Sequence, residues 1–316
     1  MRSRDLSSGS DKKVMTCSQS PCSDDIKKLA AKIGFDACGI TTATPVDSNA
    51  VEMRRQWIAA GMHAGMEYLT RYDDLRCDPG FLMPRCKSVI MLAASYHSDI
   101  SSDIIARYAL GDDYHDVLRK KAQPIVSFLQ ENNYAARICI DTAPLAERYW
   151  AVKAGIGFIG LNSMLIIPGI GSRVFLASIL TDLQLNPDTP VTMSCIGCGR
   201  CISECPGHAI MPDKTVDARR CLSYITIEHR GDFSPETDLH GRLYGCDRCQ
   251  DVCPHNTDCA PFKFDEFSPR PDVVGLTVKE AAVMTQQQFS TIFKGSAIKR
   301  AKLAGLTRNA RRLLGD

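Results

Sequence analysis

The sequence lacks the features that would point to a membrane or to export. No apolar run is long enough to cross a bilayer. The segment 1–23 is polar, has no apolar stretch of the kind found in signal peptides, and carries no twin-arginine pair ahead of one. The formal net charge is only +2, so no partner of opposite charge is implied for the molecule as a whole. We therefore expect a cytoplasmic protein with no membrane partner.

Histidine pairs typical of zinc enzymes are also missing. The seven histidines include no H-x-x-H or H-E-x-x-H arrangement, so a histidine-based metal site is not expected. The chain has 316 residues, 44% hydrophobic and 23% charged, which is ordinary for a globular protein of about two domains. Of its fifteen cysteines, seven lack ligand spacing and are expected to be buried small residues or bystanders, namely Cys17, Cys22, Cys38, Cys77, Cys86, Cys139 and Cys259.

The other eight cysteines fall into two motifs with the spacing of iron–sulfur ligands. Residues 195–206 read CIGCGRCISECP, which is the C-x2-C-x2-C-x3-C-P run of bacterial ferredoxins. Residues 246–254 read CDRCQDVCP and repeat that motif without its first cysteine, because Leu243 stands in that position. Cys221 lies between the motifs and can supply the missing thiolate. This spacing indicates a reducing compartment rather than disulfides.

The spacing also predicts which cysteines share a cluster. Two-residue steps turn three thiolates onto one cubane, whereas the fourth cysteine reaches the other cluster. Cluster one is assigned Cys195, Cys198, Cys201 and Cys253. Cluster two is assigned Cys205, Cys221, Cys246 and Cys249. Two structural zinc sites would also use C-x2-C pairs, but a doubled C-x2-C-x3-C-P run is rare among them, so two 4Fe-4S clusters are favoured.

The chain ahead of the cysteines predicts an α/β sandwich. Apolar runs predict buried strands over 37–41, 87–95 and 136–140, and periodicity predicts helices over 24–33, 48–60, 113–132 and 144–154. We expect Ser23 to cap the first helix and the segments 163–167 and 173–181 to pair as strands. The predicted divisions are a polar tail over 1–22, an α/β domain over 23–190, a ferredoxin-like dicluster domain over 191–262 and a helical basic segment over 263–316.

Residues 155–160 read GIGFIG and match the dinucleotide pattern G-x-G-x-x-G, with Asp182 about twenty residues further on. A dinucleotide site requires a strand before the glycines and a helix after them. Here a predicted helix comes before them and strand-like sequence follows. We therefore interpret the glycines as a tight turn.

Several charged residues remain open on pattern alone. Asp141 follows the apolar run 136–140, and polar residues at that end of a strand in an open sheet often face a ligand. An ordinary turn or N-cap aspartate is the alternative. Arg76 and the run 112–115 are equally open. From Lys294 onward the chain carries seven Lys or Arg against one acid, which indicates either a solvated basic face or a phosphate-contacting surface.

Taken together, these stretches resemble the epoxyqueuosine reductase family over roughly residues 26–314. The resemblance is carried by GDDYH (111–115), IDTAP (140–144), KAGIG (153–157), the first cysteine motif, DARRCLSY (217–224), LYGCDRCQ (243–250) and GSAIKRAK (295–302). It implies a nitroreductase-like α/β domain that binds cobalamin, next to a ferredoxin-like domain with two 4Fe-4S clusters. It also implies reduction of epoxyqueuosine to queuosine at the wobble position of tRNA, the last step of queuosine biosynthesis.

The resemblance further implies roles for individual residues. Electrons from an external donor of the flavodoxin or ferredoxin type would pass through the clusters and generate cob(I)alamin, and the departing oxygen would need a proton. Asp141 matches the family's proton-donor position. That role would need a raised pKa, which burial against the corrin could provide. Asp141, Arg76, Ser223 and Asp247 match family positions near the corrin or its tail. We expect a monomer.

The chain departs from the family pattern at three positions. Leu161 stands where a lysine is frequent, Asp112 where a basic residue is frequent, and Ala106 where some members place a cysteine near cobalt. Two other functions remain open, a cytoplasmic reductive dehalogenase-like cobalamin reductase of a small molecule and a plain electron-transfer iron–sulfur protein. The second would not need about 170 residues of α/β domain.

Overall fold

The computed structural model describes residues 20–316, so the prediction for Cys17 and most of the predicted polar tail fall outside the described residues. The helices are α1 Ser23–Ile33, α2 Ser48–Ala59, α3 Asp73–Cys77, α4 Pro79–Leu82, α5 Tyr114–Glu131, α6 Glu147–Lys153, α7 Arg200–Ser203, α8 Leu222–Ile227, α9 Arg248–Asp251, α10 Pro271–Val274, α11 Val278–Ala282, α12 Gln286–Ile292 and α13 Lys302–Leu314. Short 3-10 turns are Glu67–Leu69, Arg107–Ala109, Ala218–Arg220, Pro254–Asn256, Asp265–Phe267 and Ala297–Ala301. No helix within 20–316 has the length and apolar character that a membrane span requires.

One antiparallel sheet forms the centre of the fold. The strands are β1 Ala37–Thr42, β2 Ser88–Ser95, β3 Ala136–Cys139, β4 Phe158–Ile159, β5 Leu165–Ile166 and β6 Val174–Thr181. Four of them pair in the order β1-β2-β6-β3, each pair antiparallel. Ile90 of β2 stands opposite Ile40 on one side and Ile179 on the other, which fixes the register at the middle of the sheet.

Both faces of the sheet are covered, because alternate residues of β2 are apolar on both sides. Ile90 and Leu92 point into a core shared with α1 and α5. Val89 and Met91 point into a second core shared with α6, whose Trp150 is 1% exposed. The result is a three-layer sandwich, as predicted.

Two local predictions about the sandwich are wrong. Segments 163–167 and 173–181 do not pair as strands, since β5 pairs with β4 and β6 lies between β2 and β3. The reason is that β6 is apolar on both faces and belongs inside the sheet. Ser23 is not the cap of α1 but its first residue, and Cys22 takes the N-cap position while Asp25 accepts its backbone N–H at 3.0 Å.

A third core joins the C-terminal helices to the rest of the chain. Phe293, Ile298 and Leu306 pack with Tyr244 of the dicluster region and with Leu110 of the sandwich. The segment 262–267, placed at a predicted domain boundary, contributes three phenylalanines to the α1–α5 core. The predicted divisions stay a prediction, but apolar packing crosses two of them.

Candidate active site

The four cysteines assigned to cluster one surround one small cavity. They are Cys195, Cys198, Cys201 and Cys253. Their neighbours in the lining include Leu161 and Asn162 from the sandwich and Ile196 from the ligand loop itself. Cys201 is 8% exposed, whereas Cys198 lies at the surface. The cavity therefore has one side against the sandwich and one side toward solvent.

The four cysteines assigned to cluster two also lie together, and each of them is partly buried. Burial raises the pKa of Cys249, and the charges of nearby thiols raise it further, chiefly those of Cys221, Cys246 and Cys205. Cys249 also feels the charge of Cys201, so the two cysteine groups are neighbours. Within residues 20–316, no three His, Cys, Asp or Glu side chains are gathered closely enough to hold a single metal ion. A four-iron cubane is wider than one ion, so the cysteines that hold it lie further apart than the ligands of a single ion.

Glycine turns and single-turn helices shape the ligand loops. Gly197 and Gly199 have φ angles of +70° and +71°, a backbone conformation that other residues rarely adopt. Helix α7 contains Cys201, the third cysteine of the first motif. Helix α9 contains Cys249, which holds the third position of the second motif when the missing first cysteine is counted. Pro254 then opens a 3-10 turn. The motif spacing thus has a local structural basis.

Asp141 follows β3 in a left-handed backbone conformation. Its φ angle is +40°, which is uncommon for a residue other than glycine. The first residue of α6 holds this conformation, because Oε1 of Glu147 accepts the backbone N–H of Asp141 at 3.0 Å. The Asp141 side chain is 58% exposed, so its carboxylate is accessible.

Two side chains of α5 contact the same carboxylate oxygen of Asp141. Tyr114 Oη donates to Oδ2 at 2.9 Å, and His115 Nε2 lies 3.2 Å from it. The other ring nitrogen of His115, Nδ1, lies 2.8 Å from Oδ1 of Asp113. That oxygen also caps α5 by accepting the backbone N–H of His115 at 3.0 Å. Asp113, His115 and Asp141 therefore form one hydrogen-bonded row.

These contacts decide where the protons reside. Burial opposes the charged form of His115, but hydrogen bonds to Asp113 and Asp141 outweigh it and raise the pKa of His115 to about 9. Burial would raise the pKa of Asp141, but hydrogen bonds from His115 and Tyr114 outweigh it, so that pKa lies below its usual value. The raised pKa expected for Asp141 depends on burial against the corrin and stays a prediction. At neutral pH His115 carries the proton and Asp141 is ionised.

Sequence reasoning gave no role to His115 and missed Glu147 altogether. Burial, and next the charge of Asp141, raise the pKa of Glu147 to about 8, so this carboxyl is protonated at neutral pH. The three groups come from α5, the end of β3 and α6, which only the folded sheet brings together. The available signal was the spacing Asp113-Tyr-His115 at a helix start, where one aspartate can cap the helix and hold the ring.

The segment 60–76, which follows α2 and includes most of α3, links Asp141 to the cluster-two cysteines. The backbone N–H of Gly65 donates at 2.9 Å to Oη of Tyr224, which lies three residues after Cys221. At the other end of the segment, Tyr68 and Arg76 lie close enough to feel the charge of Asp141. Arg76 Nε is buried and has no hydrogen-bond partner among the described residues. This segment thus lies between the cysteine group and the acid.

The other residues matched to corrin contacts lie nearer the cysteines. The hydroxyl of Ser223, in α8, lies beside the thiol of Cys221. Asp247 is 3% exposed and accepts the backbone N–H of Arg107 at 2.7 Å. Arg76 is therefore within electrostatic range of Asp141, whereas Ser223 and Asp247 support the ligand loops.

The departures from the family pattern have plain structural settings. Leu161 lines the cluster-one cavity, where an apolar side chain is suited to a buried wall. Asp112 is exposed. Ala106 is 1% exposed and packs so closely on Gly245 that a Cβ added to that glycine would stand 2.6 Å from the Ala106 side chain.

The basic C-terminal segment is used partly inside the protein. Arg300 binds Glu228 through two nitrogens at 2.7 and 2.8 Å, and its guanidinium lies 5.5 Å from the ring centre of Tyr68. Arg308 and Arg312 donate to backbone carbonyls in the 229–237 loop. Neither interpretation of the basic segment, a solvated face or a phosphate-contacting surface, therefore holds for every residue. The remaining basic side chains are exposed, namely Lys294, Lys299, Lys302 and Arg311.

The glycines of 155–160 form a turn, as predicted. Gly155 and Gly157 lie between α6 and β4, and Gly160 follows β4, so the order of helix and strand is the reverse of what a dinucleotide site requires. Gly155 has a φ angle of +72°, and a Cβ on Gly157 would stand 2.4 Å from the carbonyl oxygen of Ile166. Close backbone approach explains these glycines.

A sandwich that presents a carboxylate–histidine pair beside two cysteine groups defines an iron–sulfur oxidoreductase. The family model described as a 4Fe-4S double cluster binding domain matches residues 194–256, which include all eight assigned cysteines. A second model, described as epoxyqueuosine reductase QueG, matches residues 76–142, a range that begins at Arg76 and ends after Asp141. The prediction of 4Fe-4S clusters rather than zinc is confirmed.

Similar proteins cover nearly the whole chain. The epoxyqueuosine reductase of Cellulophaga algicola is 37% identical over 91% of this chain and 96% of its own length. The structure of an epoxyqueuosine reductase with an epoxyqueuosine-modified tRNA-Tyr stem loop has a TM-score of 0.84 at 30% identity, and 91% of this chain and 79% of that one are covered. The Bacillus subtilis epoxyqueuosine reductase, with its catalytic aspartate loop swung out of the active site, has a TM-score of 0.83 at 30% identity and the same coverage.

This chain belongs to the epoxyqueuosine reductase family. The family and the fold class expected from the sequence, a sandwich joined to a dicluster domain, are therefore confirmed. The protein is an oxidoreductase.

Proposed function

We propose that the protein reduces epoxyqueuosine to queuosine at the wobble position of tRNA, the last step of queuosine biosynthesis. The observation that carries the proposal is the linkage of two kinds of group by one segment, 60–76. Its Gly65 contacts the segment that holds Cys221, and its Tyr68 and Arg76 lie within electrostatic range of Asp141. Reduction of an epoxide requires both electrons and protons, and this segment lies between groups suited to each.

A tRNA substrate is supported by charge next to the site. Arg300 packs over Tyr68, and Lys299 beside it is exposed. Lysines of this kind neutralise backbone phosphates. The similar protein that was solved with a modified tRNA stem loop supports the same substrate.

The donor set fits two 4Fe-4S clusters. Cluster one would be held by Cys195, Cys198, Cys201 and Cys253, and cluster two by Cys205, Cys221, Cys246 and Cys249, because the cysteines of each set lie together. The residues beside Asp141 also fit cobalamin. Arg76 offers a buried Nε donor without a partner, which a carbonyl group of a corrin side chain would satisfy. When bound, cobalamin would supply a strongly reducing cobalt centre.

Asp141 is proposed as the residue that delivers a proton to the departing oxygen. Its carboxylate is accessible, and Tyr114, His115 and Glu147 hold it in place. Mechanistically, a positioned acid lowers the barrier to loss of a poor leaving group by about 100- to 10,000-fold. The catalytic aspartate loop described for the Bacillus subtilis enzyme supports this role.

The electrons would come from an external one-electron carrier of the flavodoxin or ferredoxin type. The exposed thiol of Cys198 makes cluster one the side at which such a carrier can approach. A tRNA substrate supports a cytoplasmic location for the enzyme. The monomeric state stays a prediction.

Anaerobic turnover tests the proposal. The protein would be reconstituted with iron and sulfide, and then given cobalamin, a strong reductant and tRNA bearing epoxyqueuosine. We expect mass spectrometry of the digested nucleosides to show loss of one oxygen from the modified base. Asp141→Asn should be about 100-fold slower or worse, while Asp238→Asn, at an exposed aspartate outside the site, should match the wild type. An unchanged nucleoside mass with clusters and cobalamin bound would contradict the proposal.

A further inference from the structure

The proposed reaction consumes two protons, but Asp141 holds none at rest. Conversion of an epoxide to an alkene breaks two C–O bonds and forms one C=C π bond. It takes up two electrons from the one-electron carrier and two protons, and the oxygen leaves as water. Asp141 is ionised at neutral pH because His115 and Tyr114 stabilise its carboxylate. Each proton that it delivers must therefore reach it from a neighbouring group.

We infer that His115 is this neighbour and passes protons through Asp141 to the departing oxygen. The inference rests on the proposed function. Nε2 of His115 lies 3.2 Å from Oδ2 of Asp141, which is a hydrogen-bond distance and permits direct transfer. The Nε2–H bond breaks as an O–H bond forms on the carboxylate, and that bond breaks in turn as the leaving oxygen takes the proton. The leaving oxygen is a far stronger base than a carboxylate, so the overall transfer is downhill.

Asp113 completes the row. After transfer the ring of His115 is neutral and keeps a proton on Nδ1, which Asp113 Oδ1 accepts at 2.8 Å. Asp113 thereby fixes the tautomer, so that Nε2 faces Asp141. The His115 side chain is 26% exposed and can take a new proton from solvent. His115 acts through Asp141 and is therefore a positioning and relay residue.

The charged groups around His115 agree with this role. Asp113 faces it from the start of its own helix and Asp141 from the end of β3, and Glu147 of α6 lies within electrostatic range of it. Tyr114 stacks on its ring with the centroids 4.1 Å apart. The hydrogen-bonded carboxylates keep the ring protonated at neutral pH. Glu147 is also protonated, but its contact with Asp141 is to the backbone N–H and not to the carboxylate.

The first test measures the pKa of His115 directly and needs neither cobalamin nor tRNA. In the cluster-loaded protein with labelled histidines, NMR should show His115 titrating near pH 9, and Asp113→Asn should move that midpoint toward the ordinary value of about 6.5. A wild-type midpoint at or below about 6.5 would overturn the inference, because the ring would then hold no proton at neutral pH.

The second test is the pH profile of turnover. His115→Gln can still donate a hydrogen bond but cannot titrate, so it should be about 100-fold slower. The fall in wild-type rate as the pH rises through about 9 should be absent from this variant. His240→Gln is the matched control, because His240 also follows an aspartate by two positions but is exposed and lies outside the site. Wild-type speed in His115→Gln, with a large loss in Glu147→Gln, would assign the relay to Glu147 and overturn the inference.

Rescue separates proton transfer from packing. His115→Ala leaves room for a small ring, and added imidazole should restore at least a tenth of the lost rate. Pyrazole has the same size but stays unprotonated at neutral pH, and should restore nothing. Equal rescue by both rings would show that His115 only fills space. If wild-type enzyme leaves epoxyqueuosine unchanged while His115 titrates near pH 9, the proposed function fails. The finding that His115 holds a proton at neutral pH would still stand.

Discussion

The cysteine groups and the acid group of this site are held in place by different forces. The first ligand loop has almost no core of its own, since between residues 191 and 216 only Cys201, Ala209 and Ile210 are buried. The acid group rests on β3, α5 and α6, which two apolar cores fix on either face of the sheet. The cysteine groups therefore depend on what they bind, whereas the acid group depends on the sandwich.

The largest effect is expected from removing one ligand of cluster two. Cys221→Ser should reduce turnover to background, because cluster two adjoins the segment that leads to Asp141. Iron analysis should show about half of the wild-type iron, and circular dichroism should show the sandwich intact. Cys22→Ser, at an exposed cysteine outside both groups, is the control. Full turnover in Cys221→Ser would contradict this prediction, because it would show that the reaction does not need an intact cluster two.

Removing a core side chain should destabilise the sandwich that holds the acid group. Trp150 is 1% exposed and packs α6 against the sheet, so Trp150→Ala should lower the free energy of unfolding by about 3–5 kcal/mol. Trp150→Phe should cost much less, since the indole N–H has no hydrogen-bond partner among the described residues. Urea unfolding followed by circular dichroism measures both. A loss below about 1 kcal/mol for the alanine variant would show that α6 does not depend on this core.

The solvent-facing side of cluster one should accept electrons from a protein donor more slowly when a negative charge is added there. Ile196 is 64% exposed next to Cys198, so Ile196→Glu should slow reduction of the clusters by reduced flavodoxin about tenfold, as expected for loss of an apolar contact at a small interface. The rate with dithionite should not change, because a small reductant needs no docking surface. Val283→Glu is the control, at a side chain 79% exposed in the C-terminal helices. Equal slowing with both reductants would mean that the charge alters the cluster itself.

The smallest effect is expected at the basic segment. Lys299→Gln should weaken tRNA binding several-fold and reduce the slope of log K against log salt by about one. Arg300 is a poorer test, because its removal would also leave Glu228 without its ion-pair partner. Lys32→Gln, at an exposed lysine of α1, controls for net charge. An unchanged salt slope in Lys299→Gln would remove this residue from the tRNA surface.

The same comparison explains what the sequence could predict. Ligand cysteines lie two or three residues apart, so their spacing alone indicated the clusters. The partners of Asp141 lie on other elements, with Tyr114 27 positions before it, and no spacing rule connects them. The lowered pKa of Asp141 in the protein alone depends on those partners, so no pattern in the sequence could indicate it.

Contacts between residues far apart in the sequence could not be predicted from local patterns either. Strand β6 was recognised, but its neighbours β2 and β3 lie far away in sequence, and the nearest strand was taken as its partner. Arg300 lies in the basic segment that was left open between a solvated face and a phosphate-contacting surface, yet it binds Glu228, 72 positions earlier. The basic composition of the segment was readable, but the destination of each side chain was not.

The proposed function requires that electrons and protons act together at this site on the epoxide of a modified tRNA base. Anaerobic turnover of the cluster-loaded wild-type protein, with and without cobalamin, tests it most directly. We predict loss of one oxygen from epoxyqueuosine only when cobalamin is present. Loss of oxygen without cobalamin, or no loss with clusters and cobalamin both bound, would contradict the account.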